Sequence, residues 1–299
     1  MRMNCRVVLA VMVLAAAGLA FAPHAAAQDS DYLMPEQSAA KAKQILQQAI
    51  EALGSTAYLN VRDVTCTGRL GGFDHSGELT GFGKFIDYAE PPSKERQENL
   101  PQRNIIEVYN GDQGWDLDRG GVSKAPQADL DDFREGNLKD IDNILRHRIH
   151  EPGMVLRYAG SDVVDLRPVQ WVELVDSDDR TIRIAFSTTN HLPVRKTVQY
   201  RDTATRLTME EVEYYSNYHP VGGIQTAFQI TREKNGLKTL QAFFDKCDYN
   251  TGLADSLFTR ESLEQRWAQV GKKEKEKEKK DRSDKDHEDH TDKQDRDDN

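Results

Sequence analysis

No nucleophile elbow, zincin helix, phosphate loop or dinucleotide fingerprint occurs in the sequence, which argues against the enzyme classes built on those motifs. A surplus of basic residues is also missing. The formal net charge is -10 and the pI about 5.4, whereas nucleic-acid binders carry a basic footprint. We therefore expect no nucleic-acid partner and no cofactor. Cysteine is scarce, at three residues in 299, and beyond the N-terminus no segment is apolar enough to span a bilayer.

The one long apolar run, Val7 to Ala22, follows Arg2 and Arg6 and ends at Ala25-Ala26-Ala27. It reads as a signal peptide cut after Ala27 rather than a membrane anchor, since a spanning helix needs about 20 apolar residues. The expected compartment is the periplasm. Cys5 lies before the apolar core, so it is not the residue that lipoprotein processing would leave at a new N-terminus. Cys66 and Cys247 remain; both sit in strand-like runs near opposite ends of the folded region, and an exported pair can close a disulfide.

The organisation predicted is a signal peptide over 1–27, a short linker over 28–34, one domain over 35–270 and a charged tail over 271–299. From Gly271 the chain has no aromatic or aliphatic side chain to bury, so the tail is expected to be disordered. Within the domain, Ala42, Ile45, Leu46, Ala49, Ile50 and Leu53 recur at helical spacing between Pro35, which suits a first turn, and Gly54, which suits a stop.

Short strand patterns follow at intervals of roughly 8 to 12 residues, the mark of an antiparallel barrel or sandwich. Asn110-Gly111 between Ile106, Val108 and Trp115, Leu117 is the clearest hairpin signal. The preceding polar stretch from Ser93 to Glu98 reads as an exposed edge strand. The period then changes: Leu130, Phe133, Leu138, Ile141, Ile144 and Leu145 are spaced mostly by threes and fours, so a helical insertion interrupts the strands. Strands resume from Gly153 to Tyr158 and from Val163 to Val175, and continue to Phe244. A last helix is expected from Thr259 to Val270.

Two polar groups invite a metal reading. His147 and His150 form H-x-x-H beside Glu151, but no third ligand is anchored to them, so they read as solvated histidines; an enzyme would rest on the same three residues. Asp176, Asp178 and Asp179 lack the glycine and closing glutamate of a calcium loop and read as a hairpin turn. No metal site is expected.

The order of elements resembles the periplasmic outer-membrane lipoprotein-sorting carriers, the LolA/LolB-like family. The resemblance rests on the helix from Ala39 to Gly54, a Pro-x-x-x-Arg-type strand from Pro92 to Glu98, the hairpin from Val108 to Trp115 and the helical insertion. It continues through the Leu192-Pro193 turn to Ala254-Asp-Ser-Leu-Phe258, and covers Pro35 to Thr259. It implies an α+β, mainly β fold: an incomplete antiparallel β-barrel, a strongly curved sheet, with an N-terminal helix and a helical lid. It further implies a non-catalytic, monomeric carrier of the acyl chains of lipids or lipoproteins, meeting inner- or outer-membrane protein partners. Trp115 and Leu117 would line the wall of an apolar cavity, Leu130, Phe133, Ile141, Ile144 and Leu145 its lid, and Arg96 would be the lid latch. The charged tail is foreign to the simple carrier. On the same scaffold a filled core would instead make the chain a protein-interaction or stress-sensing module.

Overall fold

A computed structural model describes residues 33–201 and 206–270. The expected signal peptide, its cleavage site, most of the linker and the charged tail lie outside the described residues.

Helix α1 (Pro35–Leu53) has Pro35 in its first turn and buries the six residues of its apolar stripe. It stops at Gly54, whose φ of 133° and approach to the backbone of Gly223 leave no room for a side chain: a Cβ there would lie 2.5 Å from the Gly223 oxygen. After the single turn α2 (Thr56–Leu59) come six strands: β1 (Val64–Phe73), β2 (Leu79–Glu90), β3 (Lys94–Leu100), β4 (Ile106–Asn110), β5 (Gln113–Asp118) and β6 (Gly121–Lys124). Helices α3 (Gln127–Lys139) and α4 (Ile141–Arg146) form the insertion. Seven strands follow: β7 (Val155–Val164), β8 (Arg167–Val175), β9 (Thr181–Ser187), β10 (Pro193–Arg201), β11 (Thr208–Val221), β12 (Ile224–Lys234) and β13 (Leu237–Tyr249). Residues 260–270 are helical, as expected.

All thirteen strands form one antiparallel sheet in the order β6-β5-β4-β3-β2-β1-β13-β12-β11-β10-β9-β8-β7. Two meanders therefore join at β1 and β13, and Cys66 and Cys247 face each other across that join in a disulfide. The sheet does not close, since β6 and β7 are its two edges. The chain that links those edges is the helical insertion.

The sheet is nevertheless strongly curved. Phe133 of α3 stacks on Tyr109 of β4, while Lys139, six residues on, reaches Glu211 of β11. Six strand spacings would separate β4 from β11 by about 29 Å in a flat sheet, whereas six helical residues rise only about 9 Å.

Each half of the sheet buries an apolar face, but not the same face. In the β7–β12 half the inner face carries Leu156, Val172, Leu174, Ile182, Ile184 and Val198, which pack on α1 together with Ile144 and Leu145 of α4. In the β2–β6 half, Ile106, Val108, Leu117 and half-buried Trp115 point outward, under Phe258 and Leu263 of the C-terminal segment. The residues between them, Glu107, Tyr109 and Asp116, take the inner face, because successive strand side chains alternate.

Three readings from sequence are corrected. The polar strand β3 is internal, between β2 and β4, not an edge. Its outward Arg96 and Glu98 are buried as an ion pair, Nε to Oε1 at 2.6 Å, so its polarity is satisfied inside the protein instead of by water. The run from Val163 to Val175 is divided by a tight turn at Asp165 and Leu166, both at positive φ. A further short strand, β6, follows β5 where the sequence showed only the end of a hairpin.

Candidate functional site

Helix α3 lines, together with β3, β4 and β10–β13, a half-open cavity of about 1130 Å³ on the inner face. Only Leu130 of the helix is fully buried. The ring of Phe133 lies 4.5 Å from that of Tyr109, nearly parallel at 11°. Further ties are ion pairs, Arg134 to Asp112 at 2.7 Å, Glu135 to Arg180 at 3.1 Å and Lys139 to Glu211 at 3.2 Å. Hydrogen bonds also reach its last turn, where Asn143 Nδ2 donates to the Asn137 carbonyl at 2.8 Å, Lys196 Nζ to the Lys139 carbonyl at 2.6 Å and Arg148 Nη1 to the Leu138 carbonyl. α3 ends at Asp140, whose extended backbone breaks the helix and whose Oδ1 accepts the Asn143 N–H at 2.8 Å to start α4. α4 is anchored differently, with Ile144 and Leu145 wholly buried against α1.

The cavity has two unlike walls. Over β10–β12, Glu213 takes Lys196 at 2.6 Å and Arg232 at 2.7 Å, and Tyr215 donates to it at 2.5 Å. Burial alone would raise the Glu213 carboxyl, but Lys196 and Arg232 outweigh it and hold the group well below the usual range. Glu211 is likewise held by Lys139 and by the Tyr200 hydroxyl at 2.9 Å. Val198, Tyr200 and Val212 complete this wall.

Opposite, Glu95 and Tyr109 line the cavity, and Asp87, Glu107 and Asp116 share their face of β2–β5 beyond it. Burial pushes the Asp87 and Glu95 carboxyls up, and neighbouring acids add to the effect. Glu107 and Asp116 are raised for the same reasons, and the Tyr109 hydroxyl with them. Where the walls meet, burial and Asp142 push Asp140 up to about 6, against the pull of Lys196.

The structure separates the residues expected to form one apolar site. Phe133 lines the cavity and Leu130 is buried in the same helix. Ile144 and Leu145, with half-buried Ile141 beside them, belong to the main core under α1. Trp115 and Leu117 pack on the outer face. Arg96 does not reach the insertion: its Nη1 donates to the Leu257 carbonyl at 2.9 Å and to Ser262 Oγ at 2.8 Å, fastening the C-terminal segment. His147 and His150 are exposed and Glu151 pairs with Arg148. Asp176 spends its oxygens on its own turn and on Arg148 and Arg180. Among the described residues, no group of three or more acidic, histidine or cysteine side chains is placed to hold a metal ion.

Sequence reasoning missed Glu95, Tyr109, Lys196, Glu213 and Arg232. The signal was present in part: Glu107 and Tyr109 alternate with Ile106 and Val108, and the polar set, not the apolar one, turns inward.

No family model matches the chain, and no curated protein matches it in sequence. Solved structures do share its fold. A domain from Vibrio parahaemolyticus described as an outer membrane lipoprotein-sorting protein superposes with a TM-score of 0.53 at 12% identity, covering 75% of this chain and 99% of that one. A DUF1329 family protein from Desulfovibrio piger gives 0.52 at 14% identity, covering 74% and 98%. At such identities the likeness shows the fold, which is the one the sequence resemblance implies.

Proposed function

We propose that this chain is a non-catalytic, exported carrier of lipids or of lipoprotein acyl chains, with helix α3 as its lid. The observation that carries this reading is the contrast in how the inner helices are held. α1 buries six apolar residues and α4 two, whereas α3 buries Leu130 alone and is otherwise held by one aromatic stack, ion pairs and hydrogen bonds to the carbonyls of its last turn. With so little apolar surface buried, α3 is the inner helix best suited to open. It lines the cavity, in the chain that links the two unpaired edges.

The fold of the lipoprotein-sorting domain supports the reading, and so does the disulfide, which suits an oxidising compartment. The lining is mixed, with Tyr109, Phe133, Val198 and Val212 among charged groups. It favours an amphiphile over a bare hydrocarbon. Each methylene of an acyl chain that leaves water contributes roughly 0.8 kcal/mol.

A second reading draws on the fully packed space beneath α1 and α4: an interaction module that binds a protein partner on its outside. Native mass spectrometry of residues 28–299 from a periplasmic fraction, followed by solvent extraction, separates the two. The carrier reading expects a stoichiometric phospholipid or acylated-peptide adduct that Phe133→Ala weakens. A bare mass that takes up no added lipid would overturn it.

A further inference from the structure

We propose that the wall over β3 and β4 receives the ammonium group of a zwitterionic amphiphile, held by the Glu95 carboxylate and the Tyr109–Phe133 aromatic pair, with Arg232 opposite to meet the phosphate. This rests on the carrier reading and names the ligand class of the same cavity.

Glu95 and Tyr109 are directly opposed in the β3–β4 ladder, so their side chains leave the sheet about 5 Å apart on the inner face. Tyr109 is stacked on Phe133 of the lid, which gives a two-ring surface beside a carboxylate. A carboxylate next to an aromatic face is the chemistry that recognises organic ammonium ions. One row further along the strands, Asp87, Gln97, Glu107 and Asp116 are in register across β2, β3, β4 and β5 and extend the negative surface.

These carboxylates make no direct ion pair, Arg232 acting on Glu95 only from across the cavity, which sets them apart from Glu211 and Glu213. Among the described residues the carboxylates of Asp87, Glu95, Glu107 and Asp116 form no ion pair, and Asp87 Oδ1 is buried without a hydrogen-bond partner. Glu211 and Glu213, by contrast, have a full set of cations and hydroxyls. Glu95 is ringed by protein yet reached through the cavity, and its carboxyl is raised by burial. An enclosed carboxylate without a partner costs stability, and a bound cation would remove that cost.

The complementary half of the ligand has a place too. Arg232 uses Nε on Glu213, its side chain is 54% exposed, and it is the cation that acts on Glu95 across the cavity. Its guanidinium edge is free to meet a phosphate. A metal ion suits the wall poorly, since no three of these carboxylates converge.

The test uses the full mature chain and isothermal titration with three short-chain lipids of equal acyl length, bearing phosphoethanolamine, phosphocholine or phosphoglycerol headgroups, plus free phosphoethanolamine. The proposal expects the two zwitterionic lipids to bind at least tenfold tighter than the glycerol lipid. Glu95→Gln should erase that preference while leaving the affinity for the glycerol lipid, and Phe133→Leu should weaken the choline lipid most. Glu95→Gln removes an unpaired charge, so it should fold and melt no lower than the parent. Equal affinity for all three lipids would overturn the headgroup site and leave the carrier reading standing. Binding of free phosphoethanolamine with no gain from acyl chains would keep the ammonium contact and sink the carrier reading. No binding of any probe would end both.

Discussion

The two halves of the sheet use one geometry for opposite ends. Over β7–β9 the inner face is apolar and covered by α1 and α4; over β2–β6 the apolar face is the outer one, covered by the C-terminal segment, and the inner face is acidic. The alternation that makes a strand half-buried is the same in both. What decides the direction is the covering element, and in each half one such element, α1 or the C-terminal segment, comes from more than 100 residues away in the chain.

The comparison breaks most visibly with a charge. Ile184→Asp, on the filled inner face of β9, should prevent folding, because an unpaired buried carboxylate costs at least several kcal/mol against a total stability of about 5–15. The corresponding inner position of β4 is already Glu107. Circular dichroism of the two proteins, Ile184→Asp and Glu107→Gln, tests this directly: the second should melt like the parent.

The outer face of the acidic half can be tested next. Arg96→Met leaves buried Glu98 with only the longer Arg103 contact at 3.4 Å and should cost about 3 kcal/mol in urea melts, most of it recovered when Glu98→Leu is added. Replacing both cysteines by serine should cost about 2–5 kcal/mol, since the loop closed spans 181 residues.

The smallest effect is in pH. Asp140 holds its proton up to about 6, above its ordinary 3.8, so the folded state gains from acidification there. That contribution is complete below the unfolded value and is lost as pH rises through about 6. Glu213 and Asp176, held low, act in the other direction and lose their contribution as pH falls below the ordinary carboxylate range. Stability should therefore be higher at pH 5 than at pH 7, by about 1 kcal/mol from Asp140. Asp140→Asn should reduce the difference by about 1 kcal/mol while keeping the helix cap.

Much of this fold is legible in the sequence. The α1 stripe from Ala42 to Leu53, the Asn110-Gly111 turn and the helical spacing around Leu130 and Ile144 are local signals, and each sits where it was expected. The candidate site was far less legible. The family resemblance implies that Trp115 and Leu117 line an inner cavity, but three apolar clusters exist among the described residues and the strand pattern does not say which one a residue meets. Arg96 was read as a latch for the lid; it fastens Leu257 and Ser262, a contact made across 161 and 166 residues of sequence. Acidic residues on an inner wall resemble, in sequence, those on a solvated face.

The join between β1 and β13 also bears on how the molecule would respond to cutting. Each meander is made of neighbours in sequence, so each forms from short-range contacts, and only the central pairing must wait for the chain's distant ends to meet. The cystine sits on that pairing. A protease that nicked α3, the inner helix that buries fewest apolar residues, would produce two fragments, one bearing Cys66 and the other Cys247. They would run as a single species on a gel until a reductant was added, and as two afterwards.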